Sequence, residues 1–385
     1  MGSNDSAERR CYFDWAATAV PDASLFDAAI PYGNPSSPHL EGRAARDALE
    51  NARERCAAVL RVPPETLYFT SGGTESNCIP LYSFAARQGG GRIIASAGEH
   101  SSVAENLQTL ERMGRLTGRI PIDSNGRVAP ESLSKTLEKH GDTRFAAIMA
   151  VNNEIGAVND MAALRDVLRR KSGPPVHFHC DAVQAAGKIA LDLGGWDIDS
   201  ASISAHKLGG PRGIGLLYLR LPLEVLYSGG GQEKNIRPGT ENVSGALALA
   251  QCLENHGLPE KIDAELADAR RRWKRLLGAF MGMDRCRLIP AGREPGDRGF
   301  SPYIVQAAFK DIPGEVMTRA LDDLGFAVST GSACSSASPE RPVLAAMGVS
   351  DSLSLEGIRI SQGWTTTDEE IDLLLAAITE VLSFL

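Results

Sequence analysis

Short apolar runs recur through the first two thirds of the chain, at 66–69, 92–95, 145–151, 176–180, 199–204 and 213–219. Each has the length of a buried strand and is too short for a packed helix. Between several of them the apolar positions change to helical spacing. Leu40, Ala44, Ala48, Ala52, Cys56 and Leu60 make one stripe, and Met161, Leu164 and Leu168 make another. Strands alternating with amphipathic helices predict an α/β domain with a mostly parallel central sheet.

From about Ser244 the pattern becomes a long helical stretch. It contains the basic run Arg270-Arg-Arg-Trp-Lys-Arg275, which reads as a solvated helix face. Strand-length runs follow at 303–309, 326–329 and 357–361. Thr367 and Glu370 are spaced for a capping box, and Ile371, Leu374, Leu375, Ile378, Leu382 and Leu385 form the apolar stripe of the helix it opens. This part reads as a smaller α+β domain. The expected division is a large domain over 13–255 and a small domain over 256–385 together with the N-terminal arm 1–12.

Composition narrows the class. A chain of 385 residues is long for one core, so two domains are expected. Hydrophobic content of 43% and charged content of 23% are ordinary for a globular protein. A net charge of -8 argues against nonspecific nucleic-acid binding as the main task. No apolar stretch is long enough to span a membrane, and the first ten residues lack the apolar core of a secretory signal, so a cytoplasmic protein is expected. The seven cysteines are scattered and include no Cys-x-x-Cys pair. That pattern predicts reduced thiols, most of them core filler, and neither a disulfide framework nor a structural zinc site.

The candidate chemistry gathers at strand ends. His206-Lys207 closes the run 201–205 and precedes Leu-Gly-Gly-Pro-Arg-Gly213. A lysine beside glycines at the end of a buried strand suits Schiff-base chemistry, because desolvation favours the uncharged, nucleophilic amine. Asp181 ends the run 176–180, and Gln184 follows it. An aspartate on a neighbouring strand end suits pairing with a pyridinium nitrogen. Together they point to pyridoxal phosphate (PLP), an electron sink for carbanions. The bland alternatives are a solvated lysine and a helix N-cap at Asp181, and the capping role can coexist with the other.

Ser71-Gly-Gly-Thr-Glu-Ser76 follows a strand and opens a helical pattern, so its N–H groups can meet an anion, although glycine turns alone are common. His100 and Asn153 also follow strands and are as readily structural as catalytic. Cys334 sits in the small, polar run Ser329-Thr-Gly-Ser-Ala-Cys-Ser-Ser-Ala-Ser338, which reads as a mobile loop with a reactive thiol. In Ile358-Arg-Ile360, alternation places Arg359 opposite the two isoleucines. It could grip a carboxylate bidentately, or equally lie on the surface of an edge strand.

Taken together these residues resemble the NifS/IscS-type cysteine desulfurases, a branch of the class V aminotransferases with the fold-type I PLP architecture. The likeness runs from Tyr12-Phe-Asp-Trp-Ala-Ala-Thr18 and Gly33-Asn-Pro-Ser-Ser37, through Thr74-Glu-Ser76 and Asn152-Asn-Glu-Ile-Gly156, to Gly331-Ser-Ala-Cys334 and Ile358-Arg-Ile-Ser361. The resemblance implies a homodimer with a shared active site. Lys207 would anchor the cofactor aldehyde, His100 would stack on the ring, Asp181 would pair with the ring nitrogen, and Gln184 would contact the phenolic oxygen. Thr74, Ser204 and His206 would bind the phosphate, joined by Thr240 from the other subunit. Arg359, Asn34 and Asn153 would hold the substrate carboxylate. L-Cysteine would become L-alanine, leaving a persulfide on Cys334 for an acceptor in iron–sulfur assembly, tRNA thiolation or a related route.

Two alternatives stay open on sequence. A selenocysteine lyase or cysteine-sulfinate-type enzyme would act without Cys334, and an aminotransferase on the same fold would require a 2-oxo acid.

Overall fold

The computed structural model describes residues 10–26, 33–87, 89–331 and 341–385. Cys334 lies outside them. The strands among these residues are β1 (Cys11–Tyr12), β2 (Leu67–Thr70), β3 (Arg92–Ser96), β4 (Thr117–Ile120), β5 (Thr143–Ala147), β6 (His177–Asp181), β7 (Ser200–Ser204), β8 (Gly215–Leu219), β9 (Cys286–Ile289), β10 (Ile304–Phe309), β11 (Phe326–Ala327) and β12 (Gly357–Ser361).

Seven of them form the central sheet, in the order β2-β8-β7-β6-β5-β3-β4. Pairs β3–β4, β3–β5, β5–β6 and β6–β7 are parallel, and β8 runs antiparallel to both β7 and β2. The inner strands are buried except at the half-buried Arg92, Arg144 and His177, with Phe145 and Phe178 at 0% exposure. Helices therefore cover both faces, which is why these strands read as continuous apolar runs rather than as alternation. A second, antiparallel sheet has the order β12-β10-β9, and β1 pairs with β11 in parallel. The fold is thus the expected α/β architecture with a mostly parallel central sheet and a smaller antiparallel sheet.

Some local expectations are corrected. The run 145–151 is regular strand only to Ala147, yet its backbone continues along β6 through Ile148 N–H to His179 O at 3.0 Å and Ala150 N–H to Asp181 O at 2.9 Å. Strand β4 gives no apolar run because it lies at the sheet edge with Thr117 and Gly118 half-buried and Arg119 exposed. On the helix Leu40–Leu60 the buried face is Ala45, Leu49, Ala52, Cys56 and Leu60, while Leu40 is exposed. A stripe drawn at every fourth residue drifts by about 40° per step, so it leaves the core within a few turns. The basic run is only partly solvated, because Arg272 is buried and its Nε donates to Gln362 Oε1 at 2.7 Å. The capping box at Thr367 and Glu370 forms, but Ala377 and Val381 take buried places on that last helix and Leu385 is exposed.

The parallel arrangement brings chemically useful residues to one edge. Asp181 ends β6 and Ser204 ends β7, while β3 leads into Glu99-His100 and β2 into Ser71-Gly72-Gly73. All lie at the carboxyl ends of the strands, where open α/β sheets bind ligands.

Candidate active site

A cavity of about 220 Å³ opens at this edge. Lys207, His100, Thr74, Asn153, Asp181, Gln184, Ser204, His206 and Arg359 all line it. Of the other expected residues, Asn34 and Thr240 are described and do not line it. Asn34 is exposed, and its Oδ1 accepts the Ser36 N–H at 2.9 Å instead. Thr240 is also exposed and is not part of the lining of this chain's own cavity.

Lys207 ends the short turn that follows β7. Its Nζ donates to the carbonyls of Ala16 at 2.5 Å and Ala17 at 2.7 Å, so the N-terminal segment holds the amine in the cavity. His206 next to it is pushed down to about 4 by burial, reinforced by the charge of Lys207, and is neutral at pH 7.

One wall is an anion cradle. The helix Gly73–Ala86 starts at Gly72 without a side-chain cap, which leaves its first N–H groups without that partner. Glycine is required here on two counts. Gly72 has φ 151°, and a Cβ on Gly73 would lie 2.6 Å from Val183 Cγ2. Ser204 faces the same turn, with its Oγ 3.7 Å from where a Cβ on Gly72 would stand. Backbone donors at a helix N-terminus with a hydroxyl opposite suit a phosphate.

The floor is a hydrogen-bond chain whose direction follows from its members. Asp181 Oδ1 accepts the Val183 N–H at 3.0 Å, and Oδ2 accepts from Asn77 Nδ2 at 2.8 Å. Asn77 Nδ2 also reaches Ser102 Oγ at 2.8 Å. With its amide turned this way, Asn77 Oδ1 must accept from His179 Nε2, 2.8 Å away. His179 Nδ1 then accepts from Ser200 Oγ at 2.8 Å, and His177 Nε2 donates to that oxygen at 2.7 Å. Burial holds His179 down at about 4, so it is neutral.

The same chain reaches His100. Its Nδ1 lies 2.8 Å from Ser102 Oγ and accepts the Ser102 N–H at 3.1 Å as the N-cap of the helix Ser101–Arg112. Burial lowers its proton affinity, Asp181 raises it and Lys207 lowers it further, with a net shift downward. The neutral ring carries its proton on Nε2, because Nδ1 is the acceptor. Beneath it Glu99 is buried, accepts the Met149 N–H at 2.8 Å, and is pushed up to about 8 by burial, with the charge of Asp181 adding to the rise.

The far wall carries Arg359 at 1% exposure, which excludes the surface alternative. Its Nη2 donates to Asp14 Oδ1 at 2.8 Å and its Nη1 to Asn153 O at 3.0 Å, while its buried Nε has no hydrogen-bond partner among the described residues. Gln184 donates through Nε2 to Ala16 O at 2.9 Å and accepts from Lys188 Nζ at 3.1 Å.

Asn77, Ser102 and Lys188 were missed on sequence. Asn77 stands three residues beyond Thr74, on the same helix face, and Lys188 stands four beyond Gln184. Those spacings are the only signal either one gives. Cysteines behave as expected filler, since burial pushes the Cys56, Cys252 and Cys286 thiols up to about 12.

A fold of this kind with a lysine, an aspartate and an anion cradle at its carboxyl edge defines a class, and comparison with known proteins agrees. The aminotransferase class-V family profile matches residues 11–374. A NifS/IcsS protein homolog of Lactobacillus delbrueckii subsp. bulgaricus is 38% identical, covering 96% of each chain. The cysteine desulfurase IscS of Dictyoglomus turgidum is 36% identical, over 97% of this chain and 95% of its own. A solved NifS-like protein superposes with a TM-score of 0.87 at 34% identity, over 98% of this chain and 100% of its own. The chain belongs to the class-V aminotransferase family, in its NifS/IscS-type branch. Among the described residues, no helix is long and apolar enough to cross a membrane.

Proposed function

We propose that the protein is a PLP-dependent cysteine desulfurase that converts L-cysteine to L-alanine and carries the sulfur as a persulfide on Cys334. The observation that carries this reading is the convergence of Lys207, Asp181, His100 and the uncapped turn at Gly72 on one cavity. The named activity of the relatives supports it.

PLP, when bound, supplies an electron sink for negative charge at the substrate α-carbon. Lys207 would anchor its aldehyde, and Asp181 would hold a proton on its ring nitrogen. His100 would lie against the ring, with Gln184 at the phenolic oxygen. Thr74, Ser204 and His206 would take the phosphate together with Thr240 of the partner subunit. The uncapped Gly73–Ala86 terminus, lined by Thr74 and faced by Ser204, suits that anion.

This chain's own groups then account for the proton and sulfur traffic. Arg359 and Asn153 would grip the substrate carboxylate, and Lys207 would remove the α-proton. The Cys334 thiolate would attack the substrate sulfur. The carbon–sulfur bond breaks, a sulfur–sulfur bond forms, and the carbon skeleton takes up protons to leave as L-alanine. The balance is L-cysteine plus a Cys334 thiol giving L-alanine plus a Cys334 persulfide, with no added oxidant. The persulfide then passes to an acceptor thiol in iron–sulfur assembly, tRNA thiolation or a related route.

The setting follows the same reading. A cytoplasmic homodimer without direct contacts to nucleic acid or membrane would divide into a large domain over 13–255 and a small one over 256–385 with the arm 1–12. The pairing of β1 with β11 supports grouping the arm with the small domain.

The test is a stoichiometry. Protein loaded with PLP and given L-cysteine and a reductant is expected to release alanine and sulfide in equal amounts. Cys334→Ser is expected to keep the cofactor and lose sulfide release. Sulfide release that survives the substitution points to the lyase reading, and turnover that requires a 2-oxo acid points to an aminotransferase.

A further inference from the structure

Lys188 is 2% exposed, just outside the cavity wall. Its Nζ donates to Gln184 Oε1 at 3.1 Å. Gln184 in turn donates to the Ala16 carbonyl, which also receives Lys207 Nζ. The two lysines are therefore joined through one amide and one carbonyl. The charges that act on Lys188 are Lys207 and Arg359, both of its own sign. No carboxylate among the described residues forms an ion pair with it, and Asp14 is engaged by Arg359 instead. His206, on the Lys207 side, also feels the Lys188 charge.

A buried cation facing two others costs folding free energy, and an apolar side chain of similar length would fill the space without that cost. The arrangement makes sense for a site in which a nitrogen must not hold its proton too tightly. We propose that Lys188 is a positioning residue for the Lys207 site, whose positive charge lowers the proton affinity of the nitrogen at Lys207 and whose hydrogen bond fixes which end of the Gln184 amide faces the cavity. A like charge held close in a desolvated site disfavours the protonated form of its neighbour. The two nitrogens titrate as a coupled pair. Burial, with Lys207 and Arg359, pushes the Lys188 ammonium down to about 7, so its influence is strongest on the acid side of neutrality.

The inference rests on PLP binding at Lys207, and the experiment separates the two. The visible absorption band of the PLP-loaded protein is titrated with pH for the parent protein and for Lys188→Met, Lys188→Gln and Lys188→Arg, with folding checked by circular dichroism. Removing the cation is expected to raise the midpoint of the band by about one pH unit. Lys188→Gln, which keeps a donor for Gln184 without the charge, is expected to shift it in the same direction and serves if the methionine variant does not fold. Lys188→Arg, whose guanidinium stays charged throughout the titration, is expected to hold the midpoint at or below that of the parent. An unchanged midpoint in a folded, PLP-binding Lys188→Gln or Lys188→Met protein overturns the role of Lys188 and leaves the cofactor reading intact. A parent protein with no visible band after PLP is added overturns both.

Discussion

At the head of the helix Ser101–Arg112, His100 accepts the Ser102 N–H and so fills the place usually taken by serine, threonine, aspartate or asparagine. Its other nitrogen is left for the cavity. The two duties have separate observables. His100→Ala is expected to lose about 1 kcal/mol of stability with the cap and roughly 10²–10⁴-fold in rate if the ring moves a proton. His100→Asn restores an acceptor for the Ser102 N–H, so urea denaturation is expected to return to near the parent value while desulfuration stays low. A recovered rate in the asparagine variant would remove the imidazole from the chemistry. Single residues were legible where they ended an apolar run. Lys207, Asp181 and Arg359 stand out because a charged side chain follows or interrupts buried strand. Asn77 and Ser102 do not, because nothing local marks an amide that will meet an aspartate 104 residues away or a hydroxyl 25 residues away. The capping role of His100 was hidden because histidine is an uncommon N-cap.

The strand-to-helix turn at Gly72-Gly73 shows how an element rather than a side chain builds a site. An added methyl at Gly73 would meet Val183 Cγ2 at 2.6 Å and Ser204 Cβ at 3.6 Å, on the wall where the helix N–H groups open. Gly73→Ala is expected to weaken PLP binding roughly tenfold, the scale of one lost charge-assisted hydrogen bond of about 1.5 kcal/mol or more. Gly278 offers the contrast. It lies in the helix Pro259–Met281, where a Cβ would meet nothing within 4 Å. Gly278→Ala is therefore expected to stabilise the fold by about 0.5–1 kcal/mol and leave PLP affinity unchanged, as titration and thermal melting would record. Elements with continuous or periodic apolar patterns, such as β5, β6 and the helix Met161–Arg170, were readable from sequence. Edge strands β4 and β9 were not, because only one flank needs covering and their polar residues break the pattern.

On the scale of the whole molecule, the loop system that carries Thr240 takes no part in lining this chain's own cavity and is nonetheless anchored. Glu233 is buried, pairs bidentately with Arg53 at 2.8 Å, and accepts the Phe69 N–H at 2.8 Å. That anchor maintains three successive left-handed residues, Glu233, Lys234 and Asn235, with φ of 46°, 54° and 67°. Each costs roughly 1–2 kcal/mol outside such a frame. On the preceding segment Leu221, Leu226 and Tyr227 are 71%, 62% and 43% exposed. An exposed threonine on an anchored loop, preceded along the chain by exposed apolar residues, suits a second copy of the chain, which would bury those residues at about 25 cal/mol per Å² and receive the hydroxyl at its phosphate site. Leu226→Glu places a charge among those residues and is expected to weaken self-association. If Thr240 of the partner subunit helps hold the phosphate, the variant's PLP affinity falls at low protein concentration and recovers as concentration rises, because cofactor and partner bind together. Sedimentation across a concentration series, read beside the visible band, checks both at once. A monomer that keeps PLP at the parent affinity would place the phosphate wholly within one chain, on Thr74, Ser204, His206 and the Gly72-Gly73 turn.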